Sequence, residues 1–334
     1  MSLDLRSVIS ALLFGVVLSC ASGQQAATTS DLPQSPMQID LTYLASPALA
    51  GRRAGTPGND SAAVYIAKRY WDLGLRGAFN DKSCGIPPLC KASFFQLFGY
   101  PSDYPSTSER LSQNVAGIVP GTDSTLRAEY VVVGAHYDHL GRSNDHALDP
   151  WQFPLMHLGA DDNGSGTVGV LELARRLVAH PARRSVIFAN FSAEEMGLVG
   201  SKAFVENSPV RREAIIAMLN LDMIGRLRGN HLILYRGGDN ERFDRLVDSV
   251  ERLPPALDFD LDRVPTSRAN SDEISFERAG IPVLGFFTDF HADYHRAGDV
   301  VARINFPGLE TVVDLSERVI RAIADGNERP QHGR

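Results

Sequence analysis

From Glu129 onward, short runs that are apolar at nearly every position alternate with segments whose apolar residues recur at helical spacing. A continuous apolar run is typical of a strand that is buried on both faces. The predicted strands are 130–135, 185–191, 215–221, 231–235 and 282–287, and the predicted helices include 167–179 and 307–324. Strands and helices in alternation predict an α/β fold. We expect a three-layer αβα sandwich with a mixed, mostly parallel central sheet.

The part of the chain before residue 129 predicts elements that complete the same domain. Residues 37–50 predict a short helix that ends near Gly51, and 60–73 predict a longer helix with Gly74 at its C-cap. Strands are predicted at 94–98 and 114–119. We expect one domain over residues 37–327, with an inserted segment at about 75–112.

The N-terminus has the pattern of an export signal. Residues 8–18 form an apolar run that is too short to span a membrane as a helix, and Arg6 precedes it. We expect 1–20 to be a signal peptide and 21–36 to be a linker. Because residues 17–20 resemble a bacterial lipobox, Cys20 is a candidate for lipidation. The protein is then either a periplasmic or cell-envelope lipoprotein, with membrane contact only through this anchor, or a soluble secreted protein.

The two remaining cysteines, Cys84 and Cys90, flank a segment with two prolines that can turn back on itself. In an oxidising compartment this spacing predicts a disulfide that closes a small loop. A metal-binding pair is disfavoured because no second Cys or His pair lies near in sequence.

The composition excludes some classes of function. Hydrophobic residues make up 43% of the 334 residues and charged residues 22%, as in ordinary soluble globular proteins. The net charge of -7 argues against nucleic-acid binding, which needs a basic surface. The glycine-rich stretch 159–166 lacks the lysine of a P-loop, so it does not predict a nucleotide site.

That stretch, Gly-Ala-Asp-Asp-Asn-Gly-Ser-Gly, lies between a predicted strand and a predicted helix. Adjacent aspartates in a glycine-rich loop suit a cation, because one carboxylate can bridge two ions through its two oxygens. We assign Asp161 as this bridge and Asp162 as a residue that shapes the loop. The alternative is a solvated turn.

Further metal-ligating side chains follow the predicted strands. His136 and Asp138 end the first, Glu194 and Glu195 the second, and Asp222 the third, while His295 lies after the fifth. Because ligands bind beyond the carboxyl ends of the strands in such sheets, we expect these groups to meet at one edge. Taken singly, a histidine after a strand is more often structural, and an acidic pair is usually a solvated turn.

Two zinc ions that share Asp161 would neutralise this group of charges. We assign His136 and Asp222 to one ion, and Glu195 and His295 to the other. Asp138 would accept the second ring N–H of His136 and fix its tautomer, and Glu194 would be the general base. Four further histidines are expected to be structural or surface residues: His139, His146, His157 and His291.

Five motifs in this order resemble peptidase family M28: GAHYDHLG at 134–141, GADDNGSG at 159–166, NFSAEEMGLVGS at 190–201, NLDMIG at 220–225 and YHRAGD at 294–299. The resemblance covers roughly residues 40–325. It implies the zinc-peptidase architecture, the ligand set and the base assigned above, and a cis peptide bond between Asp161 and Asp162. The family includes secreted bacterial di-zinc aminopeptidases, aminopeptidase Y and glutamate carboxypeptidase II.

Two departures limit the resemblance. Several relatives stabilise the oxyanion with a tyrosine, whereas the matching stretch here, 268–273, has none, and Arg268 is our candidate for a substrate contact. The second departure is the long segment 142–157, in which Trp151 and Phe153 either line the substrate pocket or lie on a surface excursion.

The sequence therefore predicts a di-zinc exopeptidase that acts on peptides, and most specifically an aminopeptidase. Dipeptidase and carboxypeptidase activities occur among relatives and stay open. A single-zinc glutaminyl cyclase is disfavoured by the complete second ligand set, and a receptor-like ectodomain is disfavoured because no ligand is missing.

Overall fold

The computed structural model describes residues 34–79, 93–100, 110–142, 146–149, 155–238 and 240–331. Several predictions fall outside these residues: the signal peptide, the lipidation of Cys20, nearly all of the linker, the Cys84–Cys90 disulfide, and the placement of Trp151 and Phe153. They stay predictions.

The described strands form one mixed sheet. Its strands are β1 (Arg76–Gly77), β2 (Phe95–Tyr100), β3 (Arg110–Val119), β4 (Tyr130–His136), β5 (Ser185–Phe191), β6 (Ile215–Leu221), β7 (His231–Gly237), β8 (Asp260–Pro265) and β9 (Val283–Phe287). They lie in the order β1-β3-β5-β4-β6-β9-β7-β8, and β2 pairs with β3. The four central strands, β5, β4, β6 and β9, are parallel, while β3 and β7 run antiparallel to their central neighbours.

Helices cover both faces of this sheet, as expected for a three-layer sandwich. They are α1 (Pro36–Leu44), α2 (Pro57–Asp72), α3 (Gly166–Ala179), α4 (Val199–Glu206), α5 (Asn240–Glu251), α6 (Glu273–Arg278) and α7 (Phe306–Ala324). Apolar residues of α1, α2, α3, α5 and α7 pack in one core cluster, and those of α4 and α6 pack in another on the opposite face. Within the described ranges, no helix is both long and apolar enough to cross a membrane.

Burial on both faces explains why the sequences of the central strands are almost entirely apolar. Every residue of β5 and β6 is buried, because helices pack on both sides of the sheet. Since β4, β5, β6 and β9 are parallel, their carboxyl ends lie at the same edge. The four loops that follow them therefore converge, as the sequence predicts.

The structure also contains elements that the sequence analysis missed: β1, β8, α4, α5 and α6. Strand β8 alternates between half-buried and exposed residues at the end of the sheet, and α5 is strongly polar, so neither shows a continuous apolar pattern. The segment 75–112, expected as an insertion, contributes β1, β2 and the start of β3 to the main sheet.

Candidate metal centre

The carboxylate of Asp162 lies between two histidines at the carboxyl edge of the sheet. Its Oδ1 is 3.5 Å from Nε2 of His136, and its Oδ2 is 3.2 Å from Nε2 of His295. A second carboxylate lies beside each histidine. Oδ1 of Asp222 is 3.5 Å from His136, and Oε2 of Glu195 is 3.3 Å from His295. These five side chains form two triads, each with one histidine and two carboxylates, that share Asp162.

The spacing of these atoms fits zinc. Ligands at about 2.0–2.1 Å from a tetrahedral zinc ion lie about 3.3–3.4 Å from one another, close to the four distances between the ligand atoms. Imidazole nitrogen and carboxylate oxygen are both ligands that zinc accepts. Oδ1 of Asp222 is moreover buried without a hydrogen-bond partner among the described residues. The residues present therefore fit two zinc ions.

Asp161, which the sequence analysis assigns as the shared ligand, lies outside both triads. Its Oδ1 accepts a hydrogen bond of 2.7 Å from the backbone N–H of Gly225, and its Oδ2 is 3.2 Å from Nε2 of His291. Adjacent side chains leave the backbone in different directions, so only one of the two aspartates faces both histidines. The assignment is corrected: Asp162 is the shared carboxylate, and Asp161 ties its loop to the segment after β6.

Hydrogen bonds to neighbouring segments hold the loop that carries Asp162. The backbone N–H groups of Asp161 and Asp162 donate to the buried carboxylate of Asp299, each at 3.0 Å. The side-chain amide of Asn163 donates to the carbonyl of Leu221, the last residue of β6, at 2.9 Å. The cis peptide bond of this loop joins Asp162 to Asn163, one residue later than the resemblance implies.

Two histidines approach Glu195, and the geometry distinguishes their roles. Nδ1 of His139 is 2.9 Å from Oε1 of Glu195, a hydrogen-bond distance, and 3.7 Å from Asp162. His139, Asp162 and Glu195 also form a group compatible with an ion. We nevertheless assign the ligand to His295, because its Nε2 is at ligand spacing from both carboxylates and it faces the cavity, whereas His139 is fully buried. His139, expected to be structural or at the surface, orients Glu195.

Glu194 lies beside the first triad without belonging to it. Its Oε2 is 3.9 Å from Nε2 of His136, and its backbone N–H donates to Oδ1 of Asp138 at 3.1 Å. The nearest Asp138 atom to Nδ1 of His136 is the backbone carbonyl oxygen, at 3.2 Å, while the carboxylate is at 3.7 Å. Asp138 thus contacts His136 as expected, but mainly through its carbonyl, and its carboxylate positions Glu194.

The protein groups alone leave this edge of the sheet strongly acidic. Burial works against protonation of His136, yet the charges of Glu194 and Asp222 outweigh it and raise the pKa of His136 well above its usual range. Burial opposes protonation of His295 as well, but hydrogen bonds to Asp162 and Glu195 raise its pKa to about 10. Burial raises the pKa of Glu194, and the charge of Glu195 adds to that effect. Both imidazoles thus lie where positive charge is strongly favoured.

A cavity of about 710 Å³ opens onto the two triads. Its aromatic and apolar lining comes from Leu148, Met196, Leu198, Met223, Tyr235, Phe286, Phe287, Phe290 and Tyr294. Further polar groups of the lining come from Asn220 and from the loop with Arg268, Asn270, Ser271 and Glu273. The cavity therefore places both an apolar surface and hydrogen-bonding groups beside the candidate metal site.

Arg268, the predicted substrate contact, is an exposed residue that lines this cavity. Next to it, Asn220 donates hydrogen bonds to Glu273 Oε2 at 2.6 Å and to Ser271 Oγ at 2.8 Å. Burial raises the pKa of Glu273 to about 8 and that of Asp272 to about 7. Neither carboxyl group is among the site residues predicted from the sequence.

His146 and His157, which are expected to be structural or surface residues, belong to neither triad. His146 lies at the cavity wall, where its carbonyl is 2.9 Å from Nδ1 of His295. His157 contacts Asp149 at 2.9 Å. Asp299, which holds the loop of Asp162, lies in the motif at 294–299, and His139, which orients Glu195, lies in the motif at 134–141. Membership in these motifs is the sequence feature from which their roles at the site could have been predicted.

The fold and the site together define a class of protein. Its members are α/β proteins that can hold a pair of metal ions at the carboxyl edge of the sheet, in two triads that share one carboxylate. The model of peptidase family M28 matches residues 114–320, which is more than half of the chain. The chain belongs to this family.

Relatives agree with the assignment. Aminopeptidase YwaD of Bacillus subtilis is 27% identical over 233 residues, which cover 67% of this chain and 47% of that protein, so the chain spans about half the length of this relative. The structure of BSAP, a zinc aminopeptidase from Bacillus subtilis, matches with a TM-score of 0.64 at 18% identity, over 89% of this chain and 97% of that chain. A glutaminyl cyclase of Bacteroides thetaiotaomicron also matches with a TM-score of 0.64 at 18% identity, over 88% and 97%. At these identities the two structures show the fold alone.

Proposed function

We propose that this protein is a di-zinc aminopeptidase that removes N-terminal residues from peptides. The observation that supports it most is the position of Asp162, with one carboxylate oxygen facing each of two histidines. His136 and Asp222 would hold one ion, and Glu195 and His295 the other, with Asp162 shared. Family membership and the names of the relatives support the same activity.

Bound zinc supplies Lewis acidity, which polarises a substrate carbonyl and makes a water molecule acidic near neutral pH. Glu194 lies where it can receive the proton of that water on its carboxylate and later pass it to the leaving amine. The bond from its N–H to Asp138 fixes the position of the Glu194 backbone. His139 holds Glu195 by a hydrogen bond to Oε1, which leaves Oε2 to face His295.

The names of the relatives favour an aminopeptidase over a carboxypeptidase. The carboxylates of Asp162, Glu195 and Asp222 line the cavity near the triads, but two zinc ions would neutralise them, so the proposal does not depend on their charge. Arg268 is the one arginine or lysine among the described lining residues, and we propose that it contacts the substrate further along the chain.

The test combines metal analysis with a substrate panel. We expect two zinc ions per chain, hydrolysis of aminoacyl-nitroanilides, no hydrolysis of N-blocked peptides, and loss of activity with a chelator that is reversed by added zinc. Hydrolysis of N-blocked peptides would contradict an aminopeptidase and favour a carboxypeptidase, and cleavage restricted to dipeptides would favour a dipeptidase. One zinc per chain with cyclisation of N-terminal glutamine would favour the glutaminyl-cyclase alternative.

We also propose that the protein is exported, on the basis of residues 1–20, with Cys20 as a lipid anchor and a disulfide between Cys84 and Cys90. Mass spectrometry of the mature protein tests all three. A mature protein that begins at Cys20 with attached lipid supports the anchor, and an uncleaved N-terminus or two free thiols contradicts the corresponding prediction.

A further inference from the structure

Arg52 is a fully buried arginine whose donors go to backbone carbonyls. Its Nε donates to Tyr137 O at 2.8 Å, Nη1 to Leu44 O at 2.6 Å and Leu158 O at 2.7 Å, and Nη2 to Gly159 O at 2.9 Å. Among the described residues no carboxylate forms an ion pair with it, although buried charges are normally paired.

Three of these four carbonyls, those of Tyr137, Leu158 and Gly159, belong to the segments that carry the proposed zinc ligands, while Leu44 is the last residue of α1. Tyr137 lies between His136 and Asp138, so its carbonyl fixes the chain immediately after the first histidine ligand. Leu158 and Gly159 begin the loop that leads to Asp162. One guanidinium thus connects the loop after β4 with the loop before α3, at hydrogen-bond distances that a planar fork can satisfy together.

The main chain of Arg52 is part of the same connection. Its carbonyl accepts hydrogen bonds from the backbone N–H of His139 at 3.4 Å and from Nδ2 of Asn59 at 3.1 Å. His139 in turn orients Glu195. Arg52 is therefore hydrogen-bonded to a neighbour of each triad, to Tyr137 beside His136 and to His139 beside Glu195.

The backbone that presents Arg52 has an uncommon conformation. Ala50, Gly51 and Arg52 have φ values of 48°, 74° and 53°, a run of left-handed residues of which only one is glycine. A Cβ on Gly51 would lie 2.0 Å from the carbonyl oxygen of His157, so this turn is packed tightly against the neighbouring segment. Non-glycine residues are uncommon in this region and persist where the surroundings hold them there, often at functional sites.

We propose that Arg52 is a positioning residue of the metal centre, which uses its guanidinium fork to hold the loops of His136 and Asp162 at the separation that two zinc ions require. Arg52 lies outside residues 114–320, so the N-terminal segment would contribute to the site from beyond the part matched by the family model. Burial lowers the pKa of Arg52 to about 10, which leaves it charged near neutral pH. The role rests on the proposed zinc site.

The test is the zinc affinity of Arg52→Lys, measured by competition with a chelator on protein that circular dichroism shows to be folded. Lysine keeps the charge but not the fork, so we expect zinc affinity to fall about 10- to 100-fold, the usual effect of losing a group that orients metal ligands. We also expect kcat to fall while the KM for a peptide substrate changes little.

Arg184 provides the matched control. It is equally buried and also donates to carbonyls, those of Ile323 and Gly326, but at the amino end of β5, and it is paired with Glu129 at 2.7 Å. Arg184→Lys should lower thermal stability and leave zinc affinity as in the wild type.

Each result decides between alternatives. Unchanged zinc affinity in folded Arg52→Lys, or an equal loss in Arg184→Lys, would overturn the positioning role. An Arg52→Lys protein that fails to fold where Arg184→Lys folds would overturn it too, because Arg52 would then serve the fold itself. Wild-type protein without tight zinc binding would instead overturn the proposed function, so the two failures are distinguishable.

Discussion

The two edges of the central sheet differ in how their charges are satisfied. At the amino edge, Glu129 lies 2.7 Å from Arg184 and 2.7 Å from Arg329, and Asp123 lies 2.9 Å from Arg183. At the carboxyl edge, carboxylates and imidazoles are crowded together with few cations of the protein between them. Buried atoms there that lack a hydrogen-bond partner among the described residues include Asp138 Oδ2, His139 Nε2, Asp222 Oδ1 and both carboxylate oxygens of Asp272.

This difference separates stability from function. Opposite charges that pair within the protein stabilise the fold without any further ligand. Buried polar atoms without partners are rare in native proteins, so a group of them in one place indicates a ligand that completes the site. We therefore expect substitutions at the carboxyl edge to change zinc binding and catalysis, and those at the amino edge to change stability.

The largest effect is expected for Asp162→Ala. Because Asp162 offers one oxygen to each triad, its loss removes a ligand from both ions, and we expect zinc content and peptidase activity to fall to background. Metal analysis and a nitroanilide assay measure both. Asp123→Ala, at the amino edge, is the control and should keep two zinc ions. Retention of both ions in Asp162→Ala would contradict the shared-ligand assignment.

Glu194→Gln is expected to have the next largest effect. Glutamine keeps the shape of the side chain but cannot accept and return a proton, so we expect kcat to fall by about 10²- to 10⁴-fold. Zinc content should be unchanged, because Glu194 belongs to neither triad. Near-normal kcat with two bound zinc ions would mean that another group is the base.

The amino-acid sequence predicts which residues lie at the carboxyl edge, because the same pattern, an apolar strand followed by metal-ligating side chains, occurs several times along the chain. Strands β5 and β6 have the predicted bounds, and parallel strands necessarily bring their following loops together. The strand pattern alone therefore assigns His136, Glu195, Asp222 and His295 to one edge, and the folded chain brings them together there.

The error at Asp161 and Asp162 shows where sequence reasoning ends. Two identical neighbours have the same chemistry, and only the backbone dihedral angles decide which one faces the cavity. In the structure, both Asp162, with φ -98° and ψ 101°, and Asn163, with φ -118° and ψ 50°, depart from helical angles in this turn. The role of Arg52 was likewise hidden, because it depends on contacts across 85 to 107 residues of sequence.

Asp161→Ala tests this correction with a smaller expected effect. The substitution removes the acceptor for the N–H of Gly225, so the loop should hold Asp162 less firmly, and we expect zinc affinity to fall about 10-fold. Asp161→Asn is the matched control, because its amide oxygen can still accept that hydrogen bond, and its affinity should be near that of the wild type. Complete loss of both ions in Asp161→Asn would restore Asp161 as the shared ligand.

At the amino edge, Glu129→Gln should leave kcat and zinc content unchanged. Glu129 joins the buried Arg184 to Arg329, and a neutral glutamine leaves the Arg184 charge without its counterion. Loss of a charged hydrogen bond of this kind costs about 1–3 kcal/mol of unfolding free energy. Chemical denaturation measures that difference. A fall in kcat at full zinc occupancy would contradict the prediction that the amino edge affects stability and not catalysis.

We also expect the difference in unfolding free energy between wild type and Glu129→Gln to depend on pH. Burial works to raise the pKa of Glu129, but hydrogen bonds from Arg329 and Arg184 outweigh it and lower the pKa in the folded protein. Its stabilising contribution is therefore complete above its unfolded pKa of about 4.3 and is lost as pH falls through the lower folded value. Glutamine does not titrate, so the difference in unfolding free energy between wild type and Glu129→Gln should shrink below about pH 4.3. A constant difference in zinc-free protein from neutral to acid pH would show that the ionised form of Glu129 is not what stabilises this edge.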